Sequence, residues 1–417
     1  MSTTINISDE NEASHIHEKQ NILIFVRNVW YFITKYREQH EKKVIHSIKF
    51  GTSLVLVSLL YLLDPLFKHV GESVVWALMT VVLIYDFFAG ATLSKGLLRG
   101  IGTILGGGSG CLVALLAEDF GKNGYTAVIG TSVFVSGAVA TYCRMIPSIK
   151  RKYDYGIMIF ILTFSLVAVA GLRADKILEL ARQRLVTIGM GIAVCIITNL
   201  LIFPMWAGDE LHTLTSLRFN KLASCIEECM EAYSSVRDNK GHLSININGC
   251  KSVLNSKSND ESLANFARWE PWHGKYGFSY PWDKYLQIGE LLREVTSMIM
   301  PLQACITAPL QTSTTVHQPI KETCIKAGLS LGLTMRELGD SILNMRRVKE
   351  KVLIFPELQS IKLELTILPN LELQATENVE ALAIANMLFI LIEIVAKVKV
   401  LAKEVGELGE IADFESK

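Results

Sequence analysis

Sequence motifs of catalysis are absent from this chain. It contains no HExxH, GxSxG, Walker or DFG sequence, and each of these motifs carries a specific chemistry. We therefore expect no enzymatic activity and no cofactor. The eight cysteines include no CxxC pair, so we expect no metal site, and structural disulfides are not expected in a reducing cytosol.

The chain also lacks an excess of positive or negative charge. The chain has 417 residues, with 41 Lys and Arg against 41 Asp and Glu, so its formal net charge is zero. A nucleic-acid-binding protein needs a basic surface to neutralise phosphate, so no nucleic-acid partner is expected. Only 20% of the residues are charged and 50% are hydrophobic, which excludes a disordered chain.

Long apolar runs dominate the first half of the chain. Six runs lie between Lys49 and Trp206, each bounded by charge, Pro or Gly. A membrane-spanning helix needs about 20 mostly apolar residues, so the pattern predicts an all-α membrane protein with six transmembrane helices. The predicted spans are 49–67, 74–93, 97–117, 124–142, 155–172 and 185–206.

Basic residues between the runs predict the orientation of the spans. They are concentrated before span 1, between spans 2 and 3, and between spans 4 and 5, whereas the first and third connections carry only Lys68 and Lys122. Residues 1–20 contain no apolar segment of a cleavable signal peptide. We therefore expect residues 1–48 and both termini in the cytosol. The connection before span 6 disagrees, because it carries Arg173, Lys176, Arg182 and Arg184.

Residues 207–417 have a different character, with frequent charges and with helical periodicity that begins near Asp209. The later predicted helices cover about 283–308, 319–347 and 375–412. The segment 234–280 is interpreted as loop-rich and aromatic. This pattern predicts a cytosolic helical domain after the membrane domain of residues 49–206. The apolar patch Ala381–Ile392 is interpreted as part of the domain core, with membrane contact as the alternative.

Charged residues within the apolar runs are the candidate functional residues. The segment 49–206 contains 13 Lys and Arg against 8 Asp and Glu, an excess of five positive charges. Lys95 and Arg99 are four residues apart, hence on one helix face, at the predicted junction of spans 2 and 3. Arg184 opens span 6. A pathway lined by such residues would attract anions. Alternatively, Lys95 and Arg99 follow the positive-inside rule and extend to lipid headgroups.

Two further features of the runs have open interpretations. Asp86 lies within the second run, where a carboxylate is expensive; it either pairs with a nearby Lys or Arg or carries protons. Gly102, Gly106 and Gly110 stand at i, i+4 and i+8 in span 3, a small-residue face that lets another helix approach closely. That second helix belongs either to the same protomer or to a partner.

Several strings of this sequence resemble those of one known family, the plant aluminium-activated malate transporters. The matching strings extend from about residue 44 to about residue 300, and RELG at 336–339 is a weaker match. The strings are WALMT at 76–80, GATLSKGLLRG at 90–100, YDYGIMIFILTFS at 153–165, PMWAGDELH at 204–212, SVLNSKS at 252–258 and WEPWHG at 269–274.

The resemblance implies a homodimeric anion channel with six transmembrane helices per protomer and a helical cytosolic domain that helps to join the protomers. It implies conduction of malate and other anions across a plant cell membrane, and we expect the plasma membrane rather than the vacuolar membrane. By the same resemblance, Arg99 and Arg184 match the pore-lining arginines of the family, accompanied by Lys95. Asp86 stands where the family commonly has Glu.

Two other functions remain open at this point. A proton-coupled organic-acid carrier would use Asp86 as its proton site. A membrane scaffold would use the aromatic segment 266–285 as a partner surface, although these aromatic side chains are expected to pack inside the cytosolic domain.

Overall fold

The computed structural model describes residues 40–59, 74–118, 121–170, 177–237, 248–274, 276–277, 280–307, 318–347 and 378–415. Within these ranges the chain is helical and has no β-strand, as the sequence predicts. The chain divides into two compact units. The first comprises Met1–Phe87 and Lys95–Met205, and the second comprises Phe88–Ser94 and Trp206–Lys417.

Apolar helices of membrane-spanning length form much of the first unit. Its described helices are α1 (40–59), α2 (Val74–Ile84), α3 (Ala89–Glu118), α4 (Gly121–Met145), α5 (Pro147–Ala170) and α6 (Ile177–Leu201), and the first six residues of α3 belong to the second unit. By length and composition, four of them, α3 to α6, can cross a membrane, and α2 is apolar but shorter. The described helices therefore confirm the all-α fold class, and four of them are candidate membrane spans.

The break after α2 lies at an acidic residue. α2 ends at Ile84 and α3 begins at Ala89, with four non-helical residues between them. The Asp86 carboxylate accepts the backbone N–H of Phe87 at 2.7 Å. Such a local side-chain bond competes with continuation of a helix. Asp86 therefore interrupts the predicted span 74–93, which the sequence suggested was one continuous helix.

Lys95 and Arg99 therefore lie inside α3, and the prediction that they mark a junction between two spans is wrong. The predicted spans at 74–93 and 97–117 have incorrect bounds, because α3 takes residues from both. The residues on both sides of Asp86 are apolar, so hydropathy alone did not locate this break.

Other predicted bounds also need correction. Residues 143–154 were expected to connect two spans, but α4 and α5 are separated by Ile146 alone. α6 ends at Leu201 rather than at 206. Phe203, the residue before Pro204, then adopts a positive φ of 44°. Part of the first predicted span, 60–67, falls outside the described residues.

The second unit is a helical bundle. Its described helices, besides the start of α3, are α7 (Ala207–Arg237), α8 (Asn248–Leu254), α9 (Lys257–Ala267), α10 (Trp282–Thr307), α11 (Gln318–Leu343) and α12 (Asn378–Ile411). The three later helices agree closely with the periodicity in the sequence. The interpretation of 234–280 as loop-rich is wrong in part, because α8 and α9 lie within it.

The apolar patch of α12 packs in the core of the second unit. Ile384, Leu388, Leu391 and Ile394 are all buried in one hydrophobic cluster that also includes residues of α7, α10 and α11. α12 is not among the described helices that meet the criteria for a membrane span. Its hydrophobicity therefore serves helix packing, as the first of the two interpretations held.

Candidate functional site

Arg99 is the largest fully buried side chain of the described residues, with 2% of its surface exposed. Its Nε donates to the Thr80 Oγ1 of α2 at 3.1 Å, and its Nη1 donates to the Tyr155 hydroxyl of α5 at 3.4 Å. Both partners are neutral. The guanidinium is thus oriented by hydrogen bonds, while its positive charge is not cancelled by an ion pair among the described residues.

Arg184 lies on α6, and its side chain contacts α2 at Trp76, one helical turn before Thr80, the residue of α2 that Arg99 contacts. Its guanidinium carbon lies 4.7 Å from the centre of the Trp76 ring, a cation–π contact. Its Nε is buried and has no hydrogen-bond partner among the described residues. Thr80 donates to the Trp76 carbonyl at 2.6 Å, and residues four apart share a helix face. The structure therefore brings the two predicted arginines to adjacent turns of one face of α2.

Lys95 and Asp86 form an ion pair in the first unit. Lys95 Nζ lies 2.6 Å from Asp86 Oδ2, and the two side chains are 35% and 28% exposed. The second oxygen of Asp86 accepts the Phe87 N–H. This ion pair is one of the two interpretations that the sequence left open for Asp86. Because Asp86 neutralises it, Lys95 is not an unpaired cation.

Lys49 is a buried cation that was not among the candidate residues predicted from the sequence. It is 1% exposed, and its Nζ donates to Asn199 Oδ1 at 2.8 Å and to the Phe203 carbonyl at 3.3 Å. The Asn199 amide in turn donates to the Asp86 carbonyl at 3.1 Å. By sequence, Lys49 is one of the basic residues at the edge of the first predicted span. A lysine at the edge of an apolar run, with an asparagine inside another run, was the available signal.

The small-residue face of α3 packs against α5 of the same chain. A Cβ added at Gly102 would lie 2.6 Å from the Gly156 carbonyl oxygen, and one added at Gly106 would lie 2.7 Å from that of Phe160. At Gly110 the nearest atom would be Val167 Cβ, at 3.1 Å. In this structure the helix that approaches the small-residue face therefore belongs to the same chain.

This close approach positions the arginine site. Tyr155, the hydroxyl partner of Arg99, is next to Gly156 on α5, and Gly156 lies opposite Gly102. A similar approach brings α6 to α2, because a Cβ at Gly191 would lie 2.9 Å from both the Ala77 carbonyl oxygen and Thr80 Cβ. The glycines thus allow the helices to come close enough for long cationic side chains to be enclosed between them.

Buried cations without carboxylate partners define the electrostatics of this site. Lys49 and Arg99 are buried and Arg184 is half-buried; all three have neutral hydrogen-bond or aromatic partners, and no ion pair to any of them occurs in the described part of the chain. A charge inside a membrane protein is costly unless it is paired or solvated. The arrangement therefore favours an anion or water beside these side chains.

Glu270 organises the second unit around the start of α7. It is 6% exposed, and its two carboxylate oxygens accept the backbone N–H groups of Ala207 at 2.5 Å and Gly208 at 3.1 Å. Burial raises the pKa of Glu270, while these two hydrogen bonds oppose the shift. The carboxylate thus satisfies N–H groups that a helix start leaves unpaired.

The aromatic segment of the second unit is mainly a packing element. Tyr276, Trp282 and Tyr285 are buried, and their rings contact one another and Tyr280 at centroid distances from 4.7 to 6.0 Å. Trp272 is 72% exposed. Among the described residues, no group of three or more His, Cys, Asp or Glu side chains could hold a metal ion.

These features together define a helical protein with apolar helices of membrane-spanning length and with cations that have no ion-pair partner among the described residues. The sequence profile of the family described as Aluminium activated malate transporter matches residues 34–367. The chain belongs to this family, as its sequence strings suggested.

Relatives within the family cover most of the chain. Aluminum-activated malate transporter 14 of Arabidopsis thaliana is 38% identical over 361 residues, which are 85% of this chain and 66% of that relative. Aluminum-activated malate transporter 12 of the same plant is 40% identical, over 76% of this chain and 57% of that relative. Aluminum-activated malate transporter 1 of Triticum aestivum is 34% identical, over 90% of this chain and 83% of that relative. The chain thus spans just under two thirds of the first relative and a little over half of the second.

Proposed function

We propose that this protein is an anion channel that conducts malate and other organic or inorganic anions across a plant cell membrane. The observation that carries the proposal is Arg99, a buried guanidinium with neutral partners and with Arg184 beside it on the same face of α2. The names of the relatives, which are malate transporters, support the substrate class. The family is one of transporters, so we propose no enzymatic activity.

The chemistry of guanidinium suits a dicarboxylate. Arg presents several N–H donors in a planar fork that matches a carboxylate, so it favours organic acids over a halide. Thr80 and Tyr155 hold the Arg99 fork in place, which reduces the entropy that binding must remove. Conduction also requires weak binding, so that the anion can leave. Arg99 and Arg184 are proposed as the pore residues, and Lys95 contributes less because Asp86 compensates it.

We propose an architecture in which six transmembrane helices precede a cytosolic helical domain, in a homodimer with both termini in the cytosol. Residues 49–206 form the membrane domain and residues 207–417 the cytosolic domain. The plasma membrane is the proposed location. The distribution of basic residues between the apolar runs supports the orientation, and the family resemblance supports the dimer.

The alternative is a proton-coupled organic-acid carrier with Asp86 as the proton site. The geometry around Asp86 favours the channel, because one oxygen is paired with Lys95 and the other accepts a backbone N–H. Protonation of Asp86 would break the ion pair. Reversal potentials in liposomes distinguish the two functions: the channel follows the malate gradient alone, and a carrier shifts with the proton gradient.

Charge removal at the two arginines tests the pore assignment. We expect Arg99→Gln and Arg184→Gln each to reduce malate current about tenfold or more, because a charge-assisted hydrogen bond contributes about 1.5–3 kcal/mol. Currents are measured by patch clamp of purified protein in liposomes, with malate and chloride gradients. Robust anion currents of the unsubstituted protein also exclude the scaffold function.

Arg182→Gln is the matched control, since it removes the same charge from an exposed position of the same helix, two residues away. It should leave current and selectivity nearly unchanged. If both arginine variants assemble normally and keep the malate current and the anion selectivity of the control, the pore assignment is wrong.

A further inference from the structure

A long apolar groove lies on the surface of the first unit, between α4 and α5. Its volume is about 740 Å³, and Val135, Val139, Ile149, Tyr153 and Ile157 are among its lining residues. The lining is hydrocarbon except for the hydroxyl groups of a serine and this tyrosine and one thiol. Val139 is 58% exposed and Tyr153 is 49% exposed, so the groove opens to the surroundings of the first unit at these residues. In a membrane protein such a groove faces acyl chains.

Cationic residues stand at one end of this groove, in the first two turns of α5. Lys150, Arg151 and Lys152 are consecutive and all exposed. Successive residues of an α-helix are rotated by about 100°, so Lys150 and Lys152 flank the row formed by Ile149 and Tyr153. Arg151 lies on the opposite side of the helix.

Neither of the two flanking lysines forms an ion pair with a described residue, although Lys150 is close enough to Asp154 to act on it electrostatically. The nearby carboxylate of Asp154 is engaged by Arg144, whose Nε and Nη2 lie 2.7 and 3.2 Å from its two oxygens. The orientation expected from the basic residues places this end of α5 at the cytosolic face, where anionic lipids are enriched.

We infer that the groove between α4 and α5 binds an anionic phospholipid, with an acyl chain along the groove and the phosphorylated headgroup between Lys150 and Lys152. An apolar channel that ends at paired cations matches the two chemically distinct parts of one such molecule. A helix from a second copy would complement the groove but would leave the lysines without an anion. Basic pockets between transmembrane helices are known to hold phosphorylated headgroups. This site does not depend on the conduction pathway at Arg99.

Native mass spectrometry of the purified full-length chain in detergent tests the site. The probes are a dioleoyl phosphatidylinositol phosphate, dioleoyl phosphatidylcholine and water-soluble inositol phosphate. We expect the anionic lipid to bind preferentially. We expect Lys150→Gln combined with Lys152→Gln to weaken its binding about 30-fold, since each cation near an anionic lipid contributes about 1 kcal/mol.

Two matched variants separate this site from general attraction to anionic lipid. Arg151→Gln combined with Lys43→Gln removes two charges outside the groove and should change binding less than about twofold, well below the 30-fold loss expected at the groove. Val139→Trp fills the groove without changing charge, and it should reduce binding of the anionic lipid while elution volume and helix content stay unchanged. Equal losses in the lysine variant and its charge-matched control would overturn the proposal. So would unchanged binding in Val139→Trp, equal binding of soluble inositol phosphate, or a change of oligomeric mass in Val139→Trp.

Discussion

Glu270 shows how one buried carboxylate can organise a helix start. Its oxygens accept the N–H groups of Ala207 and Gly208, the first two residues of α7. Its pKa is raised, chiefly because burial disfavours the charged form. A carboxyl group with a higher pKa in the folded protein binds more protons in the folded state, so stability falls as pH rises.

This pKa shift predicts the pH dependence of stability. We expect the free energy of unfolding of the unsubstituted protein, relative to Glu270→Gln, to be highest below pH 4.5, the ordinary pKa of glutamate. It should fall as pH rises through the raised pKa of Glu270. Denaturant unfolding followed by tryptophan fluorescence over a pH series measures the difference. Parallel pH profiles of the two proteins would contradict the assignment of this titration to Glu270.

At the scale of residues, a functional role could be predicted where a charged residue lies beside or within an apolar run. Arg99 and Arg184 were selected because each is a cation beside or within an apolar run, and the structure brings both to α2. Lys49 was missed because its position before a run is also where the positive-inside rule puts cations. Its burial depends on Asn199, which is 150 residues away, and no local pattern contains that information.

At the scale of elements, the packing of α3 against α5 depends on small residues at defined positions. Gly106 faces the Phe160 carbonyl, whereas Gly108, two residues further along α3, has no atom within 4 Å of an added Cβ. The two glycines therefore form a matched pair on one helix, one at the contact and one outside it. The sequence predicted the face, and the structure identified the helix that it contacts.

Alanine substitution at these two positions should have opposite effects. Gly106→Ala should lower the free energy of unfolding by about 1–3 kcal/mol, because the helices must separate to accommodate the methyl group. Gly108→Ala should be neutral or stabilising by up to about 1 kcal/mol, the difference in helix propensity. Thermal unfolding in detergent measures both variants. The packing account fails if Gly108→Ala is destabilised as much as Gly106→Ala.

At the scale of the whole molecule, α3 is shared by the two units. Its residues up to Ser94 cluster with the second unit, and its residues from Lys95 cluster with the first. Within the second unit, a Cβ at Gly90 would lie 2.2 Å from the Phe266 carbonyl oxygen and 2.8 Å from Glu270 Cγ. The start of α3 is therefore packed tightly against α9 and the residue that caps α7.

The close contact at Gly90 predicts that a change near the start of α3 loosens the second unit, to which Gly90 belongs. Gly90→Ala should increase amide hydrogen exchange in α9 about fivefold or more, because relief of the overlap costs about 1–3 kcal/mol. Gly100→Ala is the control on the same helix, since an added Cβ there has no atom within 4 Å. Hydrogen exchange with mass spectrometry on the full chain measures the effect. Equal exchange of α9 in both variants would contradict this coupling.

The sequence by itself determined the class of protein, the family and the approximate positions of the later helices. These depend on local quantities, namely the length of apolar runs, helical periodicity and characteristic strings of residues. Only the tertiary structure decided that α3 is continuous through Lys95 and Arg99, that its glycines contact α5, and that Lys95 is paired while Arg99 is not. The physical reason is that compensation of a buried charge depends on distances between side chains that are far apart in the sequence.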